Sequence, residues 1–243
     1  MKREGPKKAG GLIPRISCPL QGHPEPGALQ STWVPMFGAK TYQDSQNSSA
    51  DPPAARSRAL EWLWQNLRDV RRPHILDCGP VYQATLDVLL KRGAKLYFTD
   101  LVTLARQSDS KFIRPLGKRT VFLIDEFLEN LPPIPPDALS AIACWHLLDL
   151  LPRDALPGLV AKLWSYIRPG GVLFCLLREP YLANGAETRW WFDSLMVLGS
   201  DVESKALFPH PALTNREIER LVPSGNVKTF LTRFARREIL AIK

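Results

Sequence analysis

Long apolar runs are missing from this 243-residue chain. No stretch approaches the roughly 20 residues that a membrane-spanning helix needs. The start, Met1 to Gly11, is charged and glycine-rich, with no apolar segment after it. A secretory signal is therefore not expected, and Ser17-Cys18 lacks the hydrophobic lead of a lipid-attachment signal. The chain reads as cytoplasmic. Cysteine is scarce as well, at four residues. Cys78, Cys144 and Cys175 sit in or at the ends of apolar strand-like runs, and no pair has metal-ligand spacing. They read as reduced, small, buried side chains rather than a disulfide or a zinc site. A concentrated basic stripe is also lacking. The net charge is +8, but the tightest groups are only Lys2, Arg3, Lys7, Lys8 and Arg233, Arg236, Arg237. No aromatics interleave with them, so a solvated surface is expected and nucleic acid is not the favoured partner. No internal repeat is visible.

What is present is a chain with 45% hydrophobic residues, ordinary for a globular domain with a sizeable core. Its organising stretch is His74-Ile75-Leu76-Asp77-Cys78-Gly79-Pro80, a short buried strand that ends in an acid and a glycine. A helical run follows from Tyr82 to Arg92, with Leu86, Leu89 and Leu90 on one face, and Gly93 stops it. Lys95 to Asp100 is a second strand that ends in another acid. Strand, tight turn, helix and strand make a βαβ unit, and parallel sheets bind ligands at the carboxyl ends of their strands. Asp77, Gly79 and Asp100 fall at those ends. An acid about 20 residues beyond the glycine turn is placed to accept hydrogen bonds from a ribose diol.

The flanks follow from the same patterns. Residues 1–50 are rich in Pro, Gly, Ser and Gln and predict a mobile or loosely packed arm. The apolar island Trp33-Val34-Pro35-Met36-Phe37 within it reads as a docked tail or a lid. A domain then runs from residue 51 to 243. Asp51-Pro52-Pro53 opens a helix to about Val70, with Leu60, Leu63, Trp64 and Leu67 forming a core stripe and Trp62 off it. Leu101 to Ser110 is a short helix. Thr120 to Ile124 is a third strand, closed by Asp125-Glu126, and the proline-dense segment from Leu131 to Pro136 is irregular. Leu139 to Cys144 is a fourth strand, followed by Trp145-His146. Arg153 to Ile167 is helical, Arg168-Pro169-Gly170-Gly171 stops it, and Val172 to Leu177 is a fifth strand. An aromatic stretch follows with Tyr181, Trp190, Trp191 and Phe192. Thr214-Asn215-Arg216-Glu217 matches a capping box, and Val227–Arg233 with Arg237–Lys243 reads as a closing hairpin.

In this order the landmarks resemble class I S-adenosylmethionine-dependent methyltransferases, over roughly Asp51 to Lys243. They are Ile75-Leu76-Asp77-Cys78-Gly79, Phe98-Thr99-Asp100, Asp125 with Leu131-Pro132, Ala143-Cys144-Trp145-His146-Leu147-Leu148, and Ile167-Arg168-Pro169-Gly170-Gly171. The resemblance implies an α/β, Rossmann-like sheet of seven mostly parallel strands with an antiparallel C-terminal hairpin, flanked by helices. It implies S-adenosylmethionine as cofactor. Asp77 and Gly79 would face its methionine part, Asp100 its ribose, Leu101 its ring, and Asp125 its adenine amino group. The family's turn is usually Asp/Glu-x-Gly-x-Gly-x-Gly. Here Val81 and Gln83 replace the second and third glycines, and side chains there would narrow the slot. Gln83 also reads as an amide contact in place of a backbone one.

Each acid also reads as an ordinary cap or loop residue. His146 is the best-placed candidate for a general base, though a histidine just after a strand is more often a packed or capping residue. Trp190, Trp191, Phe192 and Tyr181 are a wall for a small, partly apolar acceptor or simply core; Trp190 and Trp191 cannot both face inward. Three functions follow: a methyltransferase for a small-molecule acceptor, a methyltransferase fold without catalysis that serves as a binding or partner module, and a nicotinamide-binding oxidoreductase sharing the first βαβ unit.

Overall fold

The computed structural model describes residues 55–107, 111–117, 119–179, 189–201, 208–223, 226–232 and 236–243. The arm at 1–50, its island Trp33–Phe37, the helix entry Asp51-Pro52-Pro53 and Tyr181 lie outside the described residues. The elements are β1 (Ala55–Arg56), α1 (Arg58–Asn66), β2 (His74–Asp77), α2 (Gln83–Lys91), β3 (Lys95–Phe98), α3 (Leu101–Arg106), β4 (Ile113–Leu116), β5 (Arg119–Phe122) and α4 (Ile124–Leu128). Then come β6 (Leu139–Ala143), α5 (Leu147–Leu150), α6 (Leu156–Tyr166), β7 (Ile167–Arg178), β8 (Arg189–Ser194), β9 (Val197–Asp201), α7 (Asn215–Leu221), β10 (Val227–Leu231) and β11 (Arg236–Ile242).

The central sheet has the order β10-β11-β7-β6-β2-β3. β3, β2, β6 and β7 are parallel, and β11 joins β7 antiparallel, with β10 outside it. This is the mixed Rossmann-like sheet with an antiparallel C-terminal hairpin. Apolar runs with little alternation explain it, since strands covered on both faces bury both sets of side chains. Ile75, Leu76, Ile142, Leu173, Phe174 and Leu240 are all buried. Among the described residues the main sheet has six strands where seven were expected. The run around Thr120–Ile124 is split: Arg119–Phe122 pairs with Ile113–Leu116 as a separate hairpin, and Ile124 already begins a helix. Phe112, Phe122 and Phe127 pack on one another there, which gives this hairpin an aromatic anchor of its own.

The helices start where their chemistry allows. Ser57 caps α1, its Oγ accepting from Leu60 N at 3.0 Å, and the stripe Leu60, Leu63, Trp64 and Leu67 is buried as read. Trp62, off the stripe, is half exposed under the Lys228 ammonium at 4.0 Å. In α2 the inward side chains are Thr85 and Leu89, Leu86 is half-buried and Leu90 faces water; Leu86, Leu89 and Leu90 do lie on one side, but the line that meets the core runs through 85 and 89 and leaves Leu90 beyond its edge. Thr214 and Glu217 make the full capping box of α7. The Arg168-to-Gly171 segment is not a break between elements. β7 runs through it, with a register irregularity against β6 between Leu139 and Ala141.

Three cysteines stand abreast where β2, β6 and β7 reach their carboxyl ends. Cys78 N–H donates to Ala143 O at 2.9 Å, and Cys144 N–H donates to Phe174 O at 2.8 Å, so Cys78, Cys144 and Cys175 are lateral neighbours. All are free and buried, with Cys144 between the other two. Among the described residues no cluster could hold a metal ion, and no helix is long and apolar enough to cross a membrane.

The glycines of the β7 turn separate two physical effects. A Cβ on Gly171 would lie 2.6 Å from Ile167 Cγ2, 2.9 Å from Arg168 O and 3.0 Å from Leu139 O. On Gly170 it would meet nothing within 4 Å, but the backbone there has φ +73°. Gly171→Ala should lower stability by about 2–3 kcal/mol through overpacking. Gly170→Ala should cost about 1 kcal/mol through backbone strain alone. Urea unfolding midpoints of the two variants check the order.

Candidate functional site

The acids that end β2 and β3 do share one edge of the sheet. Asp77 is buried and feels the charge of Asp100, which sits one strand over. Asp100 is exposed and caps α3, its Oδ1 accepting from Thr103 N at 2.8 Å. Leu101, directly after it, is fully buried in the core. Asp125 lies on the surface in the first turn of α4.

The space between them is filled by the chain itself. Trp145 donates its indole Nε1–H to Asp77 Oδ1 at 2.5 Å, and Gly79 N–H donates to the same oxygen at 2.9 Å. A Cβ on Gly79 would lie 2.6 Å from Trp145 Cδ1 and 2.8 Å from Nε1. Gly79 is therefore required by the tryptophan lying against it. Trp145 occupies a tight turn closed by Leu147 N–H donating to Cys144 O at 3.1 Å. Its φ of +46° is a conformation that favours glycine. Rings hold it there: Phe174 at 6.0 Å edge-on and Phe192 at 5.1 Å.

Phe192 arrives on β8, which forms a small sheet of order β1-β9-β8. The aromatic stretch is thus a strand, and period-two alternation resolves its two tryptophans. Trp190 and Phe192 face inward, while Trp191 turns the other way onto Tyr82, at 5.1 Å, and over Gly199. Phe192 N–H donates to Thr85 Oγ1 at 3.1 Å, which ties β8 to α2.

Neither substitution in the glycine motif does the blocking. Val81 points into solvent, 57% exposed, and Gln83 donates its side-chain amide to Asp87 Oδ1 at 2.8 Å, one turn along α2. That bond turns the amide nitrogen along its own helix. His146 follows Trp145 and is buried; its Nδ1 lies 3.5 Å from Asp149 Oδ2. That is an ion-pair distance, too long for a hydrogen bond, and the nitrogen has no hydrogen-bond partner. Asp149 Oδ2 instead accepts Arg178 N–H at 2.8 Å.

Among the described residues, a hollow of about 10 Å³ lies at this edge, bounded by Pro80, Val102, Arg106, Trp145, His146, Arg189 and Trp190. A small-molecule site needs roughly 300–1,000 Å³. In this arrangement the residues present do not fit the methionine half of S-adenosylmethionine: the acid that the resemblance assigns to it is bonded to Trp145, and the indole covers the glycine. Trp145 was in view in the sequence as part of the fourth-strand motif, but only its contact with Asp77 reveals its role. Arg106 and Arg189 carried no signal, since nothing in the sequence brings α3 and β8 together.

No family model matches the chain, and no curated protein matches it. Solved structures do. A 1,6-didemethyltoxoflavin-N1-methyltransferase of Burkholderia thailandensis, with bound 1,6-didemethyltoxoflavin and S-adenosylhomocysteine, is 16% identical, covering 76% of each chain with a TM-score of 0.43. An S-adenosylmethionine-dependent methyltransferase of Mesorhizobium loti is 14% identical over 76% of this chain and 98% of its own, with a TM-score of 0.44. One from Clostridium acetobutylicum is 15% identical over 75% and 88%, with a TM-score of 0.41.

Burial raises the Asp77 carboxyl from 3.8 to about 6, against the lowering effect of the Trp145 and Gly79 hydrogen bonds. The folded state therefore holds this proton more tightly than the unfolded state does. Between pH about 4 and 6 the native state binds more protons, so this group's contribution to stability falls as pH rises through that window. The total is about 3 kcal/mol at 1.36 kcal/mol per pKa unit. Asp77→Asn should flatten that part of the pH profile while keeping both acceptor bonds. Urea unfolding of the two proteins from pH 4 to 7 measures the difference.

Proposed function

We propose that this chain is a methyltransferase-fold binding or partner module, with Trp145 standing in the place that the family's cofactor would take. One observation carries the reading: the Trp145 indole lies on Gly79 with its N–H on Asp77. The cofactor's ammonium and the indole N–H would compete for one buried carboxylate. The indole is already in place and costs no loss of translational freedom, which a free ligand would have to offset.

A second reading is a methyltransferase for a small-molecule acceptor, with S-adenosylmethionine entering after Trp145 swings out. Two features favour it. Trp145 is held at positive φ, a backbone conformation costing about 1–2 kcal/mol that rearrangement would release. Asp100 keeps its carboxylate exposed beside the slot, with one oxygen not engaged by the cap. In that case Asp100 would take the ribose hydroxyls, Leu101 and Asp125 would flank the adenine, and His146 would be the general base only if the acceptor must lose a proton. The chemistry that cofactor supplies is an activated methyl group; the chain's own part is to orient the acceptor and exclude water. The antiparallel strand between β7 and β10 stands against a nicotinamide oxidoreductase, for which nothing in the site speaks.

Titration calorimetry with S-adenosylhomocysteine separates the two. On the first reading the native protein shows no binding. Trp145→Gly, which suits the positive φ, should create binding that Asp100→Ala then removes. Circular dichroism verifies that each variant is folded, since truncating a buried Trp costs about 3–5 kcal/mol. Binding to the native protein that Asp100→Ala abolishes would establish the second reading instead.

A further inference from the structure

Folding gathers cations that the sequence scatters. Two connections meet at the amino edge of the central sheet, residues 67–73 ahead of β2 and residues 92–94 ahead of β3. Both lie wholly within the described residues. The Arg92 guanidinium ties them together, donating to Leu67 O at 3.1 Å and Val70 O at 3.3 Å. Lys95 N–H donates to Pro73 O at 2.8 Å, and His74 stands opposite Lys95 in the β2–β3 register. Arg71, Arg72, Lys91 and Lys95 are all exposed here. Arg68 is exposed as well but pairs with Asp69 at 3.2 Å. Burial first, and then the charges of Lys95 and Arg72, push the His74 imidazole below its ordinary range. Other acids of the neighbouring elements are engaged: Asp87 of α2 by Gln83, and Asp137, just ahead of β6, by Lys243, each at 2.8 Å. Aromatic rings lie among the charges. Lys95 Nζ is 5.1 Å from the Tyr97 ring centroid, and the His74 ring centroid is 6.2 Å from it. Both rings are half-buried, which holds them in place and leaves part of each open.

We propose that this edge binds single-stranded nucleic acid, with its cations on the phosphates and the Tyr97 and His74 rings against the bases. Arginine's planar fork matches phosphate oxygens, and an aromatic ring accepts a base of any sequence. Each cation that meets a phosphate also releases counterions condensed on the strand, which gives such binding its strength. An anionic membrane fits less well. Within residues 67–74 and 90–97 only Leu90 is a large exposed apolar side chain, too little to anchor in lipid. An acidic polypeptide would answer the charges and leave the rings unused. The edge lies at the opposite end of β2 from Asp77, so the proposal stands apart from what Trp145 does.

Fluorescence anisotropy of the full chain with labelled oligouridine and oligothymidine, over a series of potassium chloride concentrations, tests this. At least one oligonucleotide should bind, more weakly as salt rises. The triple variant Arg71→Gln, Arg72→Gln, Lys95→Gln removes three phosphate contacts. It should weaken binding by about a hundredfold at about 0.1 M salt and make the log–log salt slope shallower by about 2. Tyr97→Leu keeps the bulk and removes the ring; it should weaken binding about fivefold or more with the slope unchanged. Two controls of equal charge change should each lose much less: Lys2→Gln, Arg3→Gln, Lys7→Gln near the start of the chain, and Arg58→Gln, Arg189→Gln, Arg216→Gln elsewhere on the domain. Urea unfolding midpoints verify that every variant is folded. No binding to either oligonucleotide overturns the proposal, as does binding that either control weakens as much as the edge variant does. The nucleic-acid assignment also fails if Tyr97→Leu changes nothing while polyglutamate or phosphatidylserine vesicles displace the oligonucleotide at matched charge; the edge then serves an acidic chain or a membrane. None of these readouts uses S-adenosylhomocysteine, so the result is separable from that of the cofactor experiment.

Discussion

One buried hydrogen bond organises the carboxyl edge of this sheet: the Trp145 indole N–H to the Asp77 carboxylate. A carboxylate removed from water has to be compensated, and Asp77 has two donors, this indole and the Gly79 amide. The bond fixes the indole over Gly79, and the indole in turn gives Phe174 and Phe192 a surface to close on. Phe192 brings β8 with it, and β8 is tied to α2 through Thr85. The covering hairpin, the loss of an open slot and the small hollow beside it are consequences of a single donor meeting a single acid.

Much of the fold was legible in the sequence because its signals are local. The buried strands His74–Asp77 and Leu139–Ala143, the stripe of α1, the heavily apolar α6 and the capping box at Thr214 each follow from a few neighbouring residues. What was not legible depends on pairing across the chain. The residues at 119–122 are strand-like, but no local pattern says that they pair with 113–116 rather than with the edge of the main sheet. Trp190 and Trp191 stood in a stretch with no element assigned and could not both face inward; on a strand, alternation sends them to opposite sides.

The candidate site divides the same way. Asp77 and Asp100 fall at the strand ends that their spacing implied. The expected obstacle was misassigned: Val81 and Gln83 stand where glycines would be, yet both leave the slot alone. The real one comes from 68 positions along the chain. It could be recognised only once β2 and β6 were known to be neighbours, because that adjacency puts a residue just past one strand over the turn that follows the other.

The row formed by Cys78, Cys144 and Cys175 has an experimental use that its chemistry supplies. Three thiols lie side by side at the middle of the sheet, shielded from solvent, where none can meet an aqueous reagent until neighbouring strands separate. In a Cys18→Ser variant, which leaves these three as the chain's cysteines, alkylation by a water-soluble maleimide would therefore clock the opening of the sheet's centre. Three modifications in one burst would mean the strands part together; a staggered series would give the order in which β2, β6 and β7 let go.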